Sequence, residues 1–244
     1  MVIIRSIAGW RSFFEYLRLP KCVIKELDLS HCNFNDEVAI SLSNALANNR
    51  NLRKLNLTNN EDVTPEGWQT FSPVLQSPNS ALESLTLIGN RIDDDTLISL
   101  ANSLVNNIKL KELIIGRWFG TNITSRGWTA CSQLLCNTTS INDTYDSNHT
   151  LARLCLDPEE DRLPEDLKSL LIVNRENTKS QAARLKIIKV HLHEGLVIQP
   201  FIEMELNVLP QQFLGWEEKE RSTQLTIAST HSSGACLLCL KVEV

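Results

Sequence analysis

The sequence has little of several features that would point to a function. Among its 244 residues, 24 are Lys or Arg and 29 are Asp or Glu, and the basic residues form no cluster. Clustered basic side chains neutralise the phosphates of nucleic acids, so we expect no nucleic-acid partner. No apolar stretch approaches the roughly 20 residues that a transmembrane helix needs, so we expect no membrane association either.

Signals for secretion are also lacking. Arg5, Arg11 and Glu15 interrupt the apolar residues of the N-terminal segment, which therefore does not read as a signal peptide. The seven cysteines have no spacing typical of a disulfide framework. Reduced thiols and no entry signal predict a cytoplasmic protein, with the nucleus as the alternative.

Motifs for catalysis, metals or cofactors are missing as well. The sequence contains no G-x-S-x-G motif. Gly9, Gly67 and Gly127 each precede a Trp in a repeated segment, so they do not indicate a phosphate-binding loop. Cys236 and Cys239 have the spacing of zinc ligands, but no second pair follows at a suitable distance. We therefore predict a protein that is not an enzyme and binds no cofactor or metal.

What the sequence does contain is internal repetition. The segment Gly9–Leu27 recurs as Gly67–Leu85, and "ISLSNALANN" at 40–49 recurs as "ISLANSLVNN" at 98–107, with the same offset of 58 residues in both cases. Self-similarity at a fixed period is the signature of a repeat protein. Two kinds of repeat alternate, one with a "GW" segment and one with an "ISL" segment.

Each repeat carries a short strand-like line with the spacing L-x-x-L-x-L, often followed by Asn or Cys. Because strand side chains alternate, Leu27 and Leu29 should point into a core while Glu26 and Asp28 point outward. An inward Asn after the strand can bond the backbone of the turn. The lines begin at Ile24, Leu52, Leu82, Leu110 and Leu151.

The second half of each repeat has the apolar spacing of an amphipathic helix, as in Leu97, Leu100 and Leu104. Thr64 and Pro65 have the residue types of a helix start. Proline lacks a backbone N–H, so Pro73 should kink or shorten the helix in which it lies. The stripes comprise Trp10, Phe13 and Leu17; Ala39, Leu42 and Leu46; Trp68, Phe71 and Leu75; Leu97, Leu100 and Leu104; and Trp128, Cys131 and Leu135.

This pattern resembles the leucine-rich repeat family, and within it the ribonuclease-inhibitor-like class, whose long alternating repeats carry outer helices. The resemblance implies an α/β fold: a curved solenoid with a parallel strand ribbon on the concave side, helices on the convex side and a helical C-terminal cap. Strands stack about 4.8 Å apart and helices need roughly 10 Å, which favours curvature. We expect repeats at 1–157 (about five, the first incomplete), a cap at 158–216 and a tail at 217–244.

The first repeat begins at its helix. Either "VIIRSI" supplies its strand, or the chain is a piece of a longer protein; the sequence leaves both open. The segment 136–150 is polar and is predicted to be a loop-like insert. Leu167, Leu170 and Leu171 predict a further helix, residues 182–192 predict another, and the sequence after Pro200 predicts a short third one.

Family resemblance favours a protein partner bound on the concave surface, against the alternative of a merely solvated face. NLR receptors and GTPase-activating proteins of the Ran type use similar repeats, so a GTPase activator or the sensor fragment of a larger receptor are alternatives. Trp118 is interpreted either as an aromatic anchor or as a buried plug. The predicted binding residues are Glu26, Asp28, Lys54, Asn56, Thr58, Ser84, Thr86, Ile88, Glu112, Ile114, Arg117, Trp118 and Arg153.

Overall fold

The computed structural model describes residues 7–47, 49–116, 123–155 and 163–191. Short strands alternate with helices through most of these residues. The strands are β1 (Glu26–Asp28), β2 (Lys54–Asn56), β3 (Ser84–Thr86) and β4 (Glu112–Ile114). The helices are α1 (Ile7–Arg18), α2 (Asp36–Leu46), α3 (Pro65–Gln69), α4 (Ser72–Gln76), α5 (Asp94–Ser103), α6 (Ser125–Leu135), α7 (Ile141–Tyr145), α8 (Glu165–Glu176) and α9 (Lys179–His191).

The four strands form one parallel sheet in chain order. Their register places Leu27, Leu55, Leu85 and Leu113 beside one another. A single bridge between Glu112 and Arg153 continues the series at the fifth strand line. The predicted stacking of the repeat leucines is therefore confirmed.

The strand leucines and the helix stripes share one buried cluster. Leu85 and Leu97, for example, are both fully buried, one from a strand and one from a helix. Pro73 lies in the first turn of α4, and α3 ends before it at Gln69, so one apolar stripe is carried by two short helices. This confirms the predicted break, which follows from the missing N–H of proline.

Buried asparagine side chains bond the turns that follow the strands. The Asn60 amide donates to the carbonyls of Leu29 (3.1 Å) and Leu57 (2.9 Å) and accepts from the Phe34 N–H (3.1 Å). The Asn60 N–H in turn donates to the Asn90 side chain at 2.7 Å. The backbone groups of these turns lie inside the core but outside the sheet, and the asparagines provide their hydrogen-bond partners, as the sequence predicts.

A second row of asparagines, which the sequence analysis did not predict, bonds the turns that precede the strands. The Asn49 amide donates to the Leu17 carbonyl at 2.7 Å and accepts from the Leu52 N–H at 2.8 Å. Asn107 and Asn148 make the equivalent bonds in later repeats. Each of these asparagines ties the end of a helix in one repeat to the strand start of the next.

Two of the three "GW" segments, at Gly67 and Gly127, need glycine because of a contact between neighbouring helices. The Asp36 carboxylate, in the first turn of α2, accepts from the N–H (2.8 Å) and the hydroxyl (2.9 Å) of Thr64, the residue that caps α3. A Cβ on Gly67 would collide with that carboxylate and would lie 2.7 Å from the Val63 side chain. Asp94 and Gly127 repeat the arrangement in α5 and α6.

The C-terminal part of the described chain departs from the repeat. The segment 136–150 is not only a loop, because it contains α7, capped by the Ser140 side chain. This corrects the sequence prediction, which had no apolar stripe to detect in so short a helix. The two predicted helices that follow are present as α8 and α9. The predicted third helix after Pro200 lies outside the described residues, as does the segment 217–244, and the division into repeats, cap and tail stays a prediction.

Candidate interaction surface on the strands

The outward side chains of the strands form a surface that we call the strand face. Alternation places them opposite the leucines, and they are exposed or half-buried, while the leucines of β2, β3 and β4 are at most 1 % exposed. The strand face consists of Glu26, Asp28, Lys54, Asn56, Thr58, Ser84, Thr86, Ile88, Glu112 and Arg153.

Opposite charges on the strand face pair across neighbouring strands. Lys54 Nζ lies 2.8 Å from a carboxylate oxygen of Glu26, and Arg153 lies 3.5 Å from Glu112, which also accepts from the Ser84 hydroxyl at 2.9 Å. The hydrogen bond with Glu26 raises the pKa of Lys54. Exposed pairs of this kind contribute little to folding.

The acidic end of the strand face is held by local hydrogen bonds. Asp28 accepts from the hydroxyl (2.6 Å) and the N–H (2.9 Å) of Ser30, and the Asn56 amide donates to it at 3.1 Å. These bonds, from Ser30 first, lower the pKa of Asp28. Asn56 makes the same two bonds to Thr58 one strand further on. The carboxylate therefore stays charged and fixed in position.

The sequence analysis missed a second charged row beside the strand face. Glu83 lies 2.5 Å from Arg53 and 2.8 Å from Lys111, and the hydrogen bond from Lys111 is the main reason why the pKa of Glu83 is lowered. These residues occupy the position just before each strand. The signal was present in the sequence, because the residue after the first leucine of three successive strand lines is charged.

The turns at the carboxyl ends of the strands add a rim that was also missed. His31, Asn59 and Gly89 all have positive φ, at 54°, 55° and 70°. The Asn59 amide lies 3.1 Å from the His31 ring nitrogen. A Cβ at Gly89 would collide with the Asn59 side chain, so glycine is required there both by φ and by space.

One predicted binding residue is covered, and two lie outside the described residues. Ile114 is only 3 % exposed, so its prediction as an outward contact is wrong. The register places Ile114 on the outer face beside Thr86, but its side chain is covered there, and the next strand line has a buried Cys155 in the corresponding position. Arg117 and Trp118 lie outside the described residues, and the choice between an anchor and a plug for Trp118 stays open.

Three of the described cysteines offer no reactive thiolate. Cys131 is 1 % exposed, and burial raises its pKa to about 12. Burial also raises the pKa of Cys136 and of Cys32. These three thiols are therefore protonated at neutral pH, and protonated thiols are poor nucleophiles and poor metal ligands.

No helix within the described ranges combines the length and the apolar character that crossing a membrane requires. The predicted absence of membrane and nucleic-acid partners, of cofactors and of metals stays a prediction, as does the cytoplasmic location.

Comparison with known proteins places these repeats in a family. A family model described as "Leucine Rich repeat" matches residues 21–43 and 48–72. The chain is 31% identical over 110 residues to NACHT, LRR and PYD domains-containing protein 14 of Mus musculus, which is 45% of this chain and 11% of that protein. It is 35% identical over 97 residues to protein 13 of the same series from Homo sapiens, covering 40% of this chain and 9% of that protein.

Solved structures share the architecture at low sequence identity. Actin-binding site 2 of leiomodin-1 matches with a TM-score of 0.53 and 16% identity, over 71% of this chain and 92% of that one. The tropomodulin C-terminal domain of Caenorhabditis elegans matches with a TM-score of 0.51 and 16% identity, over 68% and 93%. These likenesses concern the fold.

The stacked strand-and-helix units define a repeat protein with a parallel sheet. Together with the matched family model and relatives, they show that the chain is a leucine-rich repeat protein. The chain spans about a tenth of the length of the curated relatives it matches. The narrower ribonuclease-inhibitor-like class stays a prediction.

Proposed function

We propose that the chain is a non-catalytic protein-interaction module that binds a folded partner through the strand face. The observation that carries the proposal is that this face is polar and bonded mainly to itself. Its charged pairs, such as Lys54 with Glu26, are exposed and are not needed by the core. Exposed pairs can exchange partners at little cost, and charge complementarity gives an interface its specificity and rate of association.

The arrangement of the repeats supports finer parts of the proposal. Helices are wider than strands, so a stack with strands on one side and helices on the other should curve, with the strand face on the concave side. Helix α8 packs against α6, and α9 packs against α7 and α8. We take these helices as part of a cap over the C-terminal end of the stack, within the predicted cap at 158–216.

The test is affinity capture with two variants of equal net charge. One carries Lys54→Glu, Thr86→Arg and Glu112→Lys on the strand face. The control carries Asn44→Arg, Gln76→Glu and Asn102→Arg at exposed helix positions. We expect the strand-face variant to lose partners that the wild type and the control both retain. Equal recovery by all three folded proteins would contradict the proposal.

A second candidate is that these repeats are the sensor part of a larger receptor. The relatives favour it, because their printed names include NACHT and PYD domains and the chain matches only a tenth of their length. Full-length transcript sequencing tests it: an open reading frame that continues upstream of Met1 into such domains is the expected result. A stop codon in frame directly upstream would contradict it.

The GTPase-activating alternative has no observation in its favour beyond the shared kind of repeat, and it stays a prediction. Measurement of GTP hydrolysis by small GTPases with and without the chain would test it.

A further inference from the structure

Two turns that are 71 residues apart in the chain meet beside the start of β4. One turn connects α5 to β4, and the other connects α8 to α9. The Lys179 ammonium donates to the Ile108 carbonyl at 3.0 Å and so joins the two turns. Lys109 and Lys111 come directly before β4. We call Ile108, Lys109, Lys111 and Lys179 the basic rim, a group that the sequence does not reveal because its members are distant in the chain.

The positive charge of the basic rim is only partly balanced. Glu83 pairs with Lys111 at 2.8 Å, but it also pairs with Arg53 at 2.5 Å. Lys109 and Lys179 form no salt bridge with a carboxylate of the described residues. Burial lowers the pKa of Lys179, and the charges of Lys109 and Lys111 lower it further. The described residues therefore leave an excess of positive charge at this place.

Helix α9 adds to this charge, because it begins at the basic rim. Lys179 is its first residue, and its first turn contains no acidic residue. The amino end of a helix carries a partial positive charge, which favours anions and disfavours cations. Three ammonium groups and a helix amino end therefore repel one another here, and a bound carboxylate would relieve this repulsion.

An exposed apolar side chain lies among these cations. Ile108 is 63 % exposed, although the turn that carries it is fixed in place. The Asn107 side chain accepts from the N–H groups of Lys109 and Leu110, both at 2.8 Å. The Asn148 amide donates to the Asn107 carbonyl at 3.0 Å. A partner would thus find the Ile108 side chain already in position, which reduces the entropy lost on binding.

We propose that the basic rim binds an acidic peptide segment of a partner protein, with its carboxylates on the three lysines and an apolar side chain on Ile108. Charge complementarity favours such a partner. A nucleic acid fits less well, because the chain has a net charge of −5 and Ile108 offers no aromatic ring for a base to stack on. The inference does not rest on the strand face, since no residue of the basic rim belongs to it.

The test is fluorescence anisotropy of the full chain with a labelled peptide of sequence GSEELEEGS at low ionic strength. The rim variant, Lys109→Gln with Lys179→Gln, should bind about tenfold more weakly than the wild type, because two of the cations are removed. The control, Lys21→Gln with Lys189→Gln, removes two exposed lysines elsewhere and should bind within about twofold of the wild type.

Urea denaturation checks that the rim variant is folded. Its midpoint should equal or exceed that of the wild type, because the substitutions remove like charges that repel one another.

A cycle between protein and peptide tests the apolar contact. Replacing the leucine of the peptide by glycine should weaken binding to the wild type several-fold and should have a smaller effect on binding to Ile108→Ser. Equal factors for the two proteins would overturn the placement of the apolar side chain on Ile108.

Other results would overturn the proposal as a whole. No binding of the peptide to the wild type, or equal binding by the wild type and the rim variant, would show that the basic rim does not hold an acidic peptide. A single-stranded oligonucleotide of the same charge that binds more tightly and displaces the peptide would assign the rim to nucleic acid. An oligomer in sedimentation velocity that dissociates only in the rim variant would assign it to a second copy of the chain.

Discussion

Contacts of single residues hold neighbouring repeats together, and Gly67 lies at one such contact, where there is no space for a side chain. Alanine normally favours a helix over glycine by about 1 kcal/mol. In Gly67→Ala, however, the new methyl group would collide with the Asp36 carboxylate that binds the cap of α3. We expect a net loss of about 1–3 kcal/mol in the free energy of unfolding, measured by urea denaturation.

Asn102→Ala, at an exposed position of α5, is the control for this substitution and should change the free energy of unfolding by less than about 0.5 kcal/mol. A Gly67→Ala protein as stable as the wild type would show that Asp36 can move aside without cost.

Asn60 is another single residue that links two neighbouring repeats. It is fully buried, and its side chain provides three hydrogen bonds to backbone groups of two repeats. Asn60→Ala would leave two carbonyls and one N–H without that partner, at about 1–3 kcal/mol for each group that stays unsatisfied. We expect a loss of at least 2 kcal/mol in urea denaturation. A loss below about 1 kcal/mol would mean that water enters and replaces the amide.

The residue scale also shows what the sequence can reveal. The inward leucines and the asparagines after the strands follow from one pattern, and the structure confirms them. Asn49 and its counterparts were missed, because an asparagine between a helix and a strand also fits an ordinary polar turn. Ile114 was wrongly predicted to be an exposed contact, because alternation gives the direction of a side chain but not what covers it.

At the scale of elements, helix α9 is fixed by a buried lysine. Lys186 is 1 % exposed and donates to the carbonyls of Leu135 (2.6 Å) and Asn148 (3.3 Å) and to the His149 ring (3.1 Å). Burial lowers the pKa of Lys186 to about 7 and that of His149 to about 4. The burial of this lysine could not be predicted from the sequence, because the residue pattern of α9 is that of an ordinary surface helix.

The lowered pKa of Lys186 predicts how stability depends on pH. An unfolded lysine titrates near pH 10.4, so between about pH 7 and pH 10 the unfolded chain holds a proton that the folded chain lacks. The free energy of unfolding should gain up to about 1.4 kcal/mol per pH unit from this residue across that window. Below about pH 7 the penalty for the buried charge is fully present and no longer changes.

Urea denaturation between pH 6 and pH 10 tests this, with Lys186→Met as the variant. The free energy of unfolding of the wild type minus that of Lys186→Met should rise with pH. Because Cys136 and His149 are present in both proteins, this difference isolates the contribution of Lys186. Lys189→Met, exposed on the same helix, is the control and should keep the wild-type slope. If the free energy of unfolding depended on pH equally in the wild type and in Lys186→Met, the lysine would not be buried as described.

The lowered pKa of His149 affects stability at acidic pH, below the range in which Lys186 does. Its folded pKa of about 4 is below its unfolded value near 6.5, so the unfolded chain takes up the proton first as pH falls. The contribution of His149 to stability is therefore present above about pH 6.5 and is lost between there and pH 4. Acidification should loosen α9 and the turn around Asn148, which we expect to appear as faster hydrogen exchange there before the sheet is affected.

At the scale of the whole molecule, the described repeats form a stack in which each unit contacts its neighbours. The regular register of Leu55, Leu85 and Leu113 was predictable, because a repeated spacing constrains every copy at once. The helices after the last strand line were predictable only as helices, since no repeat phase fixes where they pack. A binding surface on such a stack is assembled from several repeats, so its affinity should be spread over them.

The stack predicts which mutations influence one another. Leu55→Ala and Leu85→Ala remove leucines that are neighbours in the register, so their effects on the free energy of unfolding should deviate from additivity by about 0.5 kcal/mol or more. Leu55→Ala with Leu151→Ala, three strand lines apart and also fully buried, should be additive within about 0.5 kcal/mol. Valine at the same positions serves where an alanine pair does not fold. An equal deviation from additivity in both pairs would mean that distant repeats are coupled as strongly as adjacent ones. It would contradict a stack in which each repeat interacts mainly with its neighbours.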